Sequence, residues 1–362
     1  MKIGILTLHR ALNYGAVLQT MGLYNYLKKM NYQVEIIDFV PNEIYGYYNY
    51  KIFSKPITIR SVVSKTLRYR RNKKEFKAFE SFVGENFQLS KTCYTEMELK
   101  EIINQFDSVI CGSDQIWNPK AIAGMTDVYY LNFIENNKIR KISYAASYGN
   151  INTIKKLEEN LKEYFKSFTA ISVREEEAVE KTKQLSNKDV KRLIDPSMLI
   201  EKEDYKNKEK EIEVPAKYIL VYKLKENDIM TNNAIEIAKM LNIKIESLGK
   251  KVPNSIFLKT IGPGEFLYLC DHAEYVFTNS FHGTVFSLIY NKPFLTFGNG
   301  NYNSRMETIL NITNQRKRMI MENRKVEELL KLLNNEEDYD FENIIEKERN
   351  KSKEFLKESI ER

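Results

Sequence analysis

Thr278-Asn279-Ser280-Phe281-His282-Gly283-Thr284-Val285-Phe286 is a polar, glycine-bearing turn set between two apolar segments. Before it, Ala273 to Phe277 reads as a short buried strand. After it, Val285, Phe286, Leu288 and Ile289 recur at helical spacing until Pro293 forbids continuation. The turn is therefore expected at the C-terminal end of a strand. Ligands bind there in open α/β sheets, because backbone N–H groups and the positive end of the following helix face the crevice. His282, one of three histidines in the chain, would there be a titratable group able to deliver a proton beside a bound anion. The competing reading makes His282 a residue of the helix cap and nothing more.

The same rhythm runs outward in both directions. Towards the C-terminus come a strand at Phe294 to Phe297, the polar loop Gly298-Asn299-Gly300-Asn301, and a helix opened by Asn303 and containing Arg305. Towards the N-terminus come a strand at Tyr218 to Lys223, a helix near Asp228 to Leu241, a strand at Ile243 to Leu248 and a helix after Gly262-Pro263-Gly264-Glu265. The charged stretch Glu201 to Glu213 precedes them and marks a domain boundary. An earlier alternating series occupies residues 1–200. It starts with a strand at Lys2 to Leu8, a loop holding Asn13 and Gly15, and a helix from about Val17 to Met30. Asn13 and Gly15 would place backbone amides against an anion or sugar.

In that first series the apolar run Phe106 to Cys111 ends at Gly112-Ser113-Asp114-Gln115-Ile116-Trp117-Asn118-Pro119, which sets the only tryptophan among hydrogen-bonding side chains. Asp114 suits a general base or a hydroxyl-binding group; an Asx-turn or helix cap is the alternative. Thr169 to Val173 ends at Arg174, followed by three glutamates that suit a helix start. Arg174 could fork onto a carboxylate or phosphate, or form a salt bridge with those glutamates. Alternating strand and helix patterns in two consecutive blocks give the fold class: α/β, two Rossmann-like domains with a crevice between them. The expected domains are 1–200, with an insertion at about 42–91, then 214–335, and a helical tail at 336–362.

Composition narrows the function. With 43% hydrophobic and 12% aromatic residues, 362 residues can bury two cores, which excludes a disordered chain. The net charge of +7 arises from 56 basic and 49 acidic residues, an excess that does not indicate nucleic acid. Cys93, Cys111 and Cys270 lack metal or disulfide spacing. No metal site is expected, and Asp338-Tyr339-Asp340 is rejected as one because no strand precedes it. No apolar run approaches roughly 20 residues and no signal segment is evident, so a cytoplasmic protein is expected. The insertion carries Tyr45, Tyr47, Tyr48 and Tyr50, then Arg60, Lys65, Arg68, Arg70, Arg71, Lys73, Lys74 and Lys77. Tyrosines stacking on sugar and basic residues meeting an anionic membrane surface stand against simple packing and a solvated helix face.

Taken together, the clusters Asn13 to Gln19, Cys111 to Asn118, Tyr144 to Gly149, Ser172 to Glu175, Asp195 to Ser197 and Thr278 to Phe286 resemble the polysaccharide pyruvyl transferase family, in order, over roughly residues 1 to 320. The resemblance implies a GT-B-like pair of domains and transfer of a pyruvyl group from phosphoenolpyruvate to hydroxyls of a sugar in a cell-surface polysaccharide. The family's histidine falls on His282, as general acid, and its arginine on Arg174. We expect Asp114 as a second catalytic group and Arg174, Asn279, Ser280, Gly283, Asn13 and Gly15 at the donor. Ser113, Gln115, Trp117 and Asn118 are expected at the acceptor. Phosphoenolpyruvate would be a co-substrate, with no other cofactor. The acceptor would be lipid-linked if the basic segment meets a membrane. A nucleotide-sugar glycosyltransferase and a non-catalytic glycan-binding protein of the same fold are the competing functions.

Overall fold

The computed structural model describes residues 1–45, 59–298, 303–335 and 341–361, the side chains of 43, 45 and 59–72 excepted. The expected lid tyrosines at 45, 47, 48 and 50 therefore lie outside the described side chains. So do the basic side chains at 60, 65, 68, 70 and 71, the loop residues 299–301 and the rejected acidic triplet at 338–340.

The chain forms two compact units, Met1–Leu199 with Lys351–Arg362, and Ile200–Asn350. The first is built on six parallel strands: β1 (Lys2–Leu6), β2 (Gln33–Ile36), β3 (Ser108–Cys111), β4 (Arg140–Ala146), β5 (Ala170–Val173) and β6 (Val190–Arg192). Their order across the sheet is β2-β1-β3-β4-β5-β6. Strands such as Ser108–Cys111 are buried at every residue, as sheets covered on both faces require. The helix Tyr14–Lys29 follows β1 and is buried on most of its surface, including Gln19 and Thr20. It crosses the segment Pro196–Met198 so closely that a Cβ on Gly22 would stand 2.1 Å from the Pro196 carbonyl oxygen. Only glycine allows that approach.

The second unit has six parallel strands: β7 (Tyr218–Lys223), β8 (Lys244–Gly249), β9 (Ile256–Leu258), β10 (Tyr275–Thr278), β11 (Phe294–Phe297) and β12 (Met319–Ile320). They are ordered β12-β11-β10-β7-β8-β9, the doubly wound order of dinucleotide-binding sheets. Ile219, Val221, Phe277, Leu295 and Phe297 point to one face, where the helices Asp228–Leu241 and Val326–Leu333 cover them. On the other face Phe286, from the helix Phe281–Ile289, packs edge-on against Phe266 and Tyr205 at 5.8 and 5.0 Å.

Two boundaries differ from expectation. The charged stretch after residue 200 is part of the second unit, because its helix Lys202–Lys206 buries Tyr205 completely against Phe286. The C-terminal helix Phe341–Glu361 does not stand apart as a tail. Its first half is held by Arg349, 2% exposed, which pairs with Glu201, Glu342 and Glu346, while its last turns group with the first unit. Among the described residues no helix is long and apolar enough to cross a membrane.

Candidate functional site

In each sheet the chain leaves neighbouring strands in opposite directions at one point, β1/β3 in the first unit and β7/β10 in the second. Loops at such points open a crevice at the strands' C-terminal ends. The expected site residues fall on loops and helix starts that follow strands β1, β3, β5 and β10.

At the β7/β10 edge, strand β10 ends at Thr278, whose hydroxyl donates to the Tyr222 carbonyl at 2.9 Å and accepts the Ser280 N–H at 3.0 Å. Ser280 caps the helix Phe281–Ile289, its Oγ accepting from the Gly283 N–H at 3.3 Å. Gly283 lies on Thr278: a Cβ there would meet the threonine Oγ1 at 2.3 Å. Its place in the expected donor set thus has a steric cause, since glycine lets the helix N-terminus sit on the strand end. Asn279 bridges the switch point. Its Oδ1 accepts the Leu224 N–H at 2.8 Å and its amide donates to the Lys225 carbonyl at 2.8 Å, so it builds the edge by binding backbone. His282 occupies the first turn, 5% exposed, with its ring edge-on to Phe281 at 5.0 Å.

At the first unit's edge, Arg174 follows β5. Its Nη2 donates to the Ser113 hydroxyl and stands 2.9 Å from Asp195 Oδ2, with side-chain exposures of 3% and 0%. The buried carboxylate beside it is thus Asp195, three residues beyond β6. Asp195 in turn accepts from the Ser197 N–H and hydroxyl at 2.9 and 2.6 Å. Ser113 also donates through its hydroxyl to the Ala145 carbonyl at 2.8 Å and through its N–H to Gln19 Oε1 at 3.1 Å. The cluster therefore ties β3, β4, β5, β6 and the first helix together. Asp114 adopts φ 56°, a left-handed conformation that aspartate tolerates better than most residues, and its carbonyl accepts the Ser147 N–H at 3.0 Å.

The expected acceptor residues separate. Gln115 is partly exposed and accepts from Asn118 Nδ2 at 2.7 Å, whereas Trp117 has no exposed surface. Its indole stacks on Tyr130 at 4.8 Å, packs against Tyr148, Phe165 and Phe168, and donates to the Tyr129 carbonyl at 3.3 Å. Trp117 is a core residue here, and its expected contact with an acceptor is corrected to support of the loop. Asn13 likewise uses its side chain to cap the first helix, accepting the Ala16 N–H at 3.2 Å, and Gly15 is buried within that helix.

Sequence reading passed over two groups. His9, wholly buried, bonds through Nε2 to Asp38 Oδ1 at 2.8 Å, and Arg10 forks onto both oxygens of that carboxylate at 2.6 and 2.9 Å. Burial works to raise the Asp38 carboxyl, but hydrogen bonds from His9, Arg10 and Thr92 hold it well below the usual carboxylate range. The second is Glu175, read from the sequence only as part of a helix start: 2% exposed, it turns from its own helix N-terminus and accepts from the Ser147 hydroxyl. A polar residue within a few positions of an apolar strand's end was the available signal in both cases. Among the described residues, Glu209, Asp271 and His272 offer ligand atoms within 4.8 Å of one another. Asp271 and His272 lie just before β10 begins, at the opposite edge of the sheet from His282, and Lys206 already pairs with Asp271 at 2.9 Å.

With this geometry in hand, comparison with protein families finds that the polysaccharide pyruvyl transferase profile matches residues 13–301. The chain belongs to the polysaccharide pyruvyl transferase family. Comparison with curated proteins finds no match. Solved structures share the fold of this pyruvyl transferase family member at low identity. A putative UDP-N-acetylglucosamine 2-epimerase from Listeria monocytogenes is 12% identical, with TM-score 0.56, covering 99% of this chain and 96% of its own. HepE of Anabaena, solved with UDP and glucose, is 9% identical with TM-score 0.54 and 99% of each chain covered. The UDP-GlcNAc 2-epimerase of Methanocaldococcus jannaschii is 12% identical with TM-score 0.51, covering 96% and 99%. These likenesses establish two Rossmann-like domains of the GT-B kind, and family membership makes the protein a transferase family member of polysaccharide biosynthesis.

Proposed function

We propose that the protein transfers a pyruvyl group from phosphoenolpyruvate to two hydroxyls of a sugar, forming a ketal and releasing phosphate. The observation that carries this reading is His282 in the first turn of a helix at the β7/β10 edge, in a chain matching the pyruvyl transferase family. His282 gives its proton to the methylene carbon of the enol phosphate, which becomes the methyl group, and C2 becomes an oxocarbenium centre. One sugar hydroxyl adds to C2. Phosphate departs with its C–O bond electrons, and the second hydroxyl closes the ketal. Of the two hydroxyl protons, one restores the histidine and the other passes through Asp114 to the departing phosphate. General acid catalysis of this type contributes about 10²- to 10⁴-fold.

In this proposal the Ser280 cap and the backbone amides after it receive an anionic group of the donor. Arg174, its plane fixed by Asp195 and Ser113, supplies a guanidinium for the donor's charges. Asp114 acts as base towards the sugar, with Gln115 and Asn118 beside it at the acceptor. Membrane attachment through the basic helix Ile59–Asn86 belongs to the proposal too; its Lys73, Lys74 and Lys77 are exposed. The test is phosphate release from phosphoenolpyruvate across a panel of acceptor glycosides. Acceptor-dependent release supports the reading, and its absence across a broad panel counts against it.

A second reading rests on the strand order of the second unit, which is that of nucleotide-binding sheets. On it the donor is a nucleotide sugar, and calorimetric titration with UDP-sugars in place of phosphoenolpyruvate would reveal it.

A further inference from the structure

Lys223 ends β7, the central strand of the second unit, at the switch point itself. Its side chain is 3% exposed, an unusual place for an ammonium ion, which loses its hydration on burial. Nothing in the fold requires it there: Ile219 and Val221, four and two residues earlier on the same strand face, are core residues. Among the described residues Nζ bonds to the Thr231 hydroxyl at 3.3 Å and to Glu226 Oε2 at 2.9 Å. The Glu226 side chain is 70% exposed. An ion pair with so exposed a partner is heavily screened and compensates poorly for a buried ammonium. Such a partner is also readily displaced.

The loop between these residues is joined to the His282 turn. Asn279 accepts the Leu224 N–H and donates to the Lys225 carbonyl, and Asn279 stands three residues before His282. The carbonyl of Lys223 is fixed in addition by the Lys250 N–H at 2.8 Å. A charged side chain is therefore rooted in a rigid strand end at the edge that carries the proposed acid. Its counter-ion sits on the outside.

We infer that Lys223 is a phosphate-binding lysine and that Glu226 is its resident counter-ion, which gives way when the phosphate of the donor enters at the β7/β10 edge. The inference rests on the pyruvyl-transfer reading only for the owner of that phosphate. A dianionic phosphate outcompetes a solvated carboxylate for the ammonium because it brings more charge and more acceptor oxygens. Inorganic phosphate, the product of the proposed reaction, should bind the same group. Pyruvate, which has a carboxylate and no phosphate, should be indifferent to it.

The experiment is calorimetric titration of the full chain at low salt with inorganic phosphate, with phosphoenolpyruvate and with pyruvate. Wild type, Glu226→Gln, Lys223→Met and Lys223→Arg are compared. Removing Glu226 should tighten phosphate binding several-fold and leave pyruvate unchanged. Lys223→Met should weaken phosphate roughly tenfold or more, the size of a charge-assisted hydrogen bond, and Lys223→Arg should recover part of it. A lysine with only a structural role predicts otherwise: Glu226→Gln would then leave phosphate affinity unchanged or lower, and that result overturns the inference even if Lys223→Met does not fold. A wild type that binds no phosphate also overturns it. The two proposals fail separately. Lys223-dependent phosphate binding without turnover of phosphoenolpyruvate sinks the reaction and keeps the site. Turnover with phosphate affinity indifferent to both residues sinks the site and keeps the reaction.

Discussion

Nη2 of Arg174 lies 2.9 Å from Oδ2 of Asp195, and neither side chain has appreciable contact with solvent. Arg174 directly follows β5, and Asp195 lies three residues beyond its parallel neighbour β6. Because both charges are buried, removing one strands the other. Breaking a pair of this kind costs about 3–5 kcal/mol. We therefore expect Asp195→Ala to lower the free energy of unfolding by an amount in that range, read by denaturant titration. A loss below about 1 kcal/mol would place the pair in the class of solvent-screened bridges and contradict the burial argument.

Arg174→Lys should keep the charge and lose the fork. Lysine cannot present two parallel donors, so a guanidinium held between Asp195 and Ser113 is poorly copied. The expected outcome is weaker binding of phosphoenolpyruvate with acceptor binding preserved, measured by titration of each ligand separately. Equal donor affinity in the two proteins would remove Arg174 from the donor site.

Gly283→Ala should disturb both fold and turnover. The new methyl would meet the Thr278 Oγ1 at 2.3 Å and its Cβ at 2.9 Å, and Thr278 is itself bonded to the Tyr222 carbonyl and the Ser280 N–H. Overpacking of this kind costs about 1–3 kcal/mol. Ser280→Ala, which removes the cap alone, should cost about 1 kcal/mol. Thermal unfolding of the two variants checks the ranking, and a Gly283→Ala protein as stable as wild type would show that the helix can slide off the strand end.

Stability should also depend on pH through Glu246. This β8 residue is 1% exposed, its Oε2 has no hydrogen-bond partner among the described residues, and burial raises its carboxyl from 4.5 to about 7. The folded protein keeps this proton over a range in which the unfolded chain has lost it. Its contribution is thus complete below the unfolded value, falls as pH rises through that range, and is gone above the folded value. The full effect is on the order of 3 kcal/mol. Glu246→Gln should be more stable than wild type near pH 8 and similar near pH 5, by denaturant unfolding at about those two values. A difference independent of pH would show that Glu246 does not titrate in this window.

Much of the fold was legible because the strands are short apolar runs closed by polar, glycine-bearing loops. Tyr218–Lys223, Phe294–Phe297 and the helix Asp228–Leu241 stand at the expected residues. β9 and β12 were missed: Ile256–Leu258 is partly exposed and Met319–Ile320 has two residues, too little for any periodicity to register. The order of strands cannot be read from alternation alone, since it depends on which way each crossover turns. Site residues were legible as types at strand ends, not as partners. Arg174 with Asp195, and His9 with Asp38, meet only because neighbouring strands bring them together. Trp117 misled for a related reason. The polar residues beside it in sequence face the loop, while its own ring turns inward to Tyr130 and Phe165.

The central claim is that a proton is delivered to the methylene carbon of phosphoenolpyruvate beside His282. The most direct measurement is NMR of the sugar product formed in deuterated water by the wild-type protein, with His282→Ala run in parallel. The account predicts a ketal whose methyl group carries one deuterium from solvent, with formation slowed about 10²- to 10⁴-fold in the variant. A product that keeps the vinyl methylene, or a His282→Ala protein within a few-fold of wild-type rate, would contradict it.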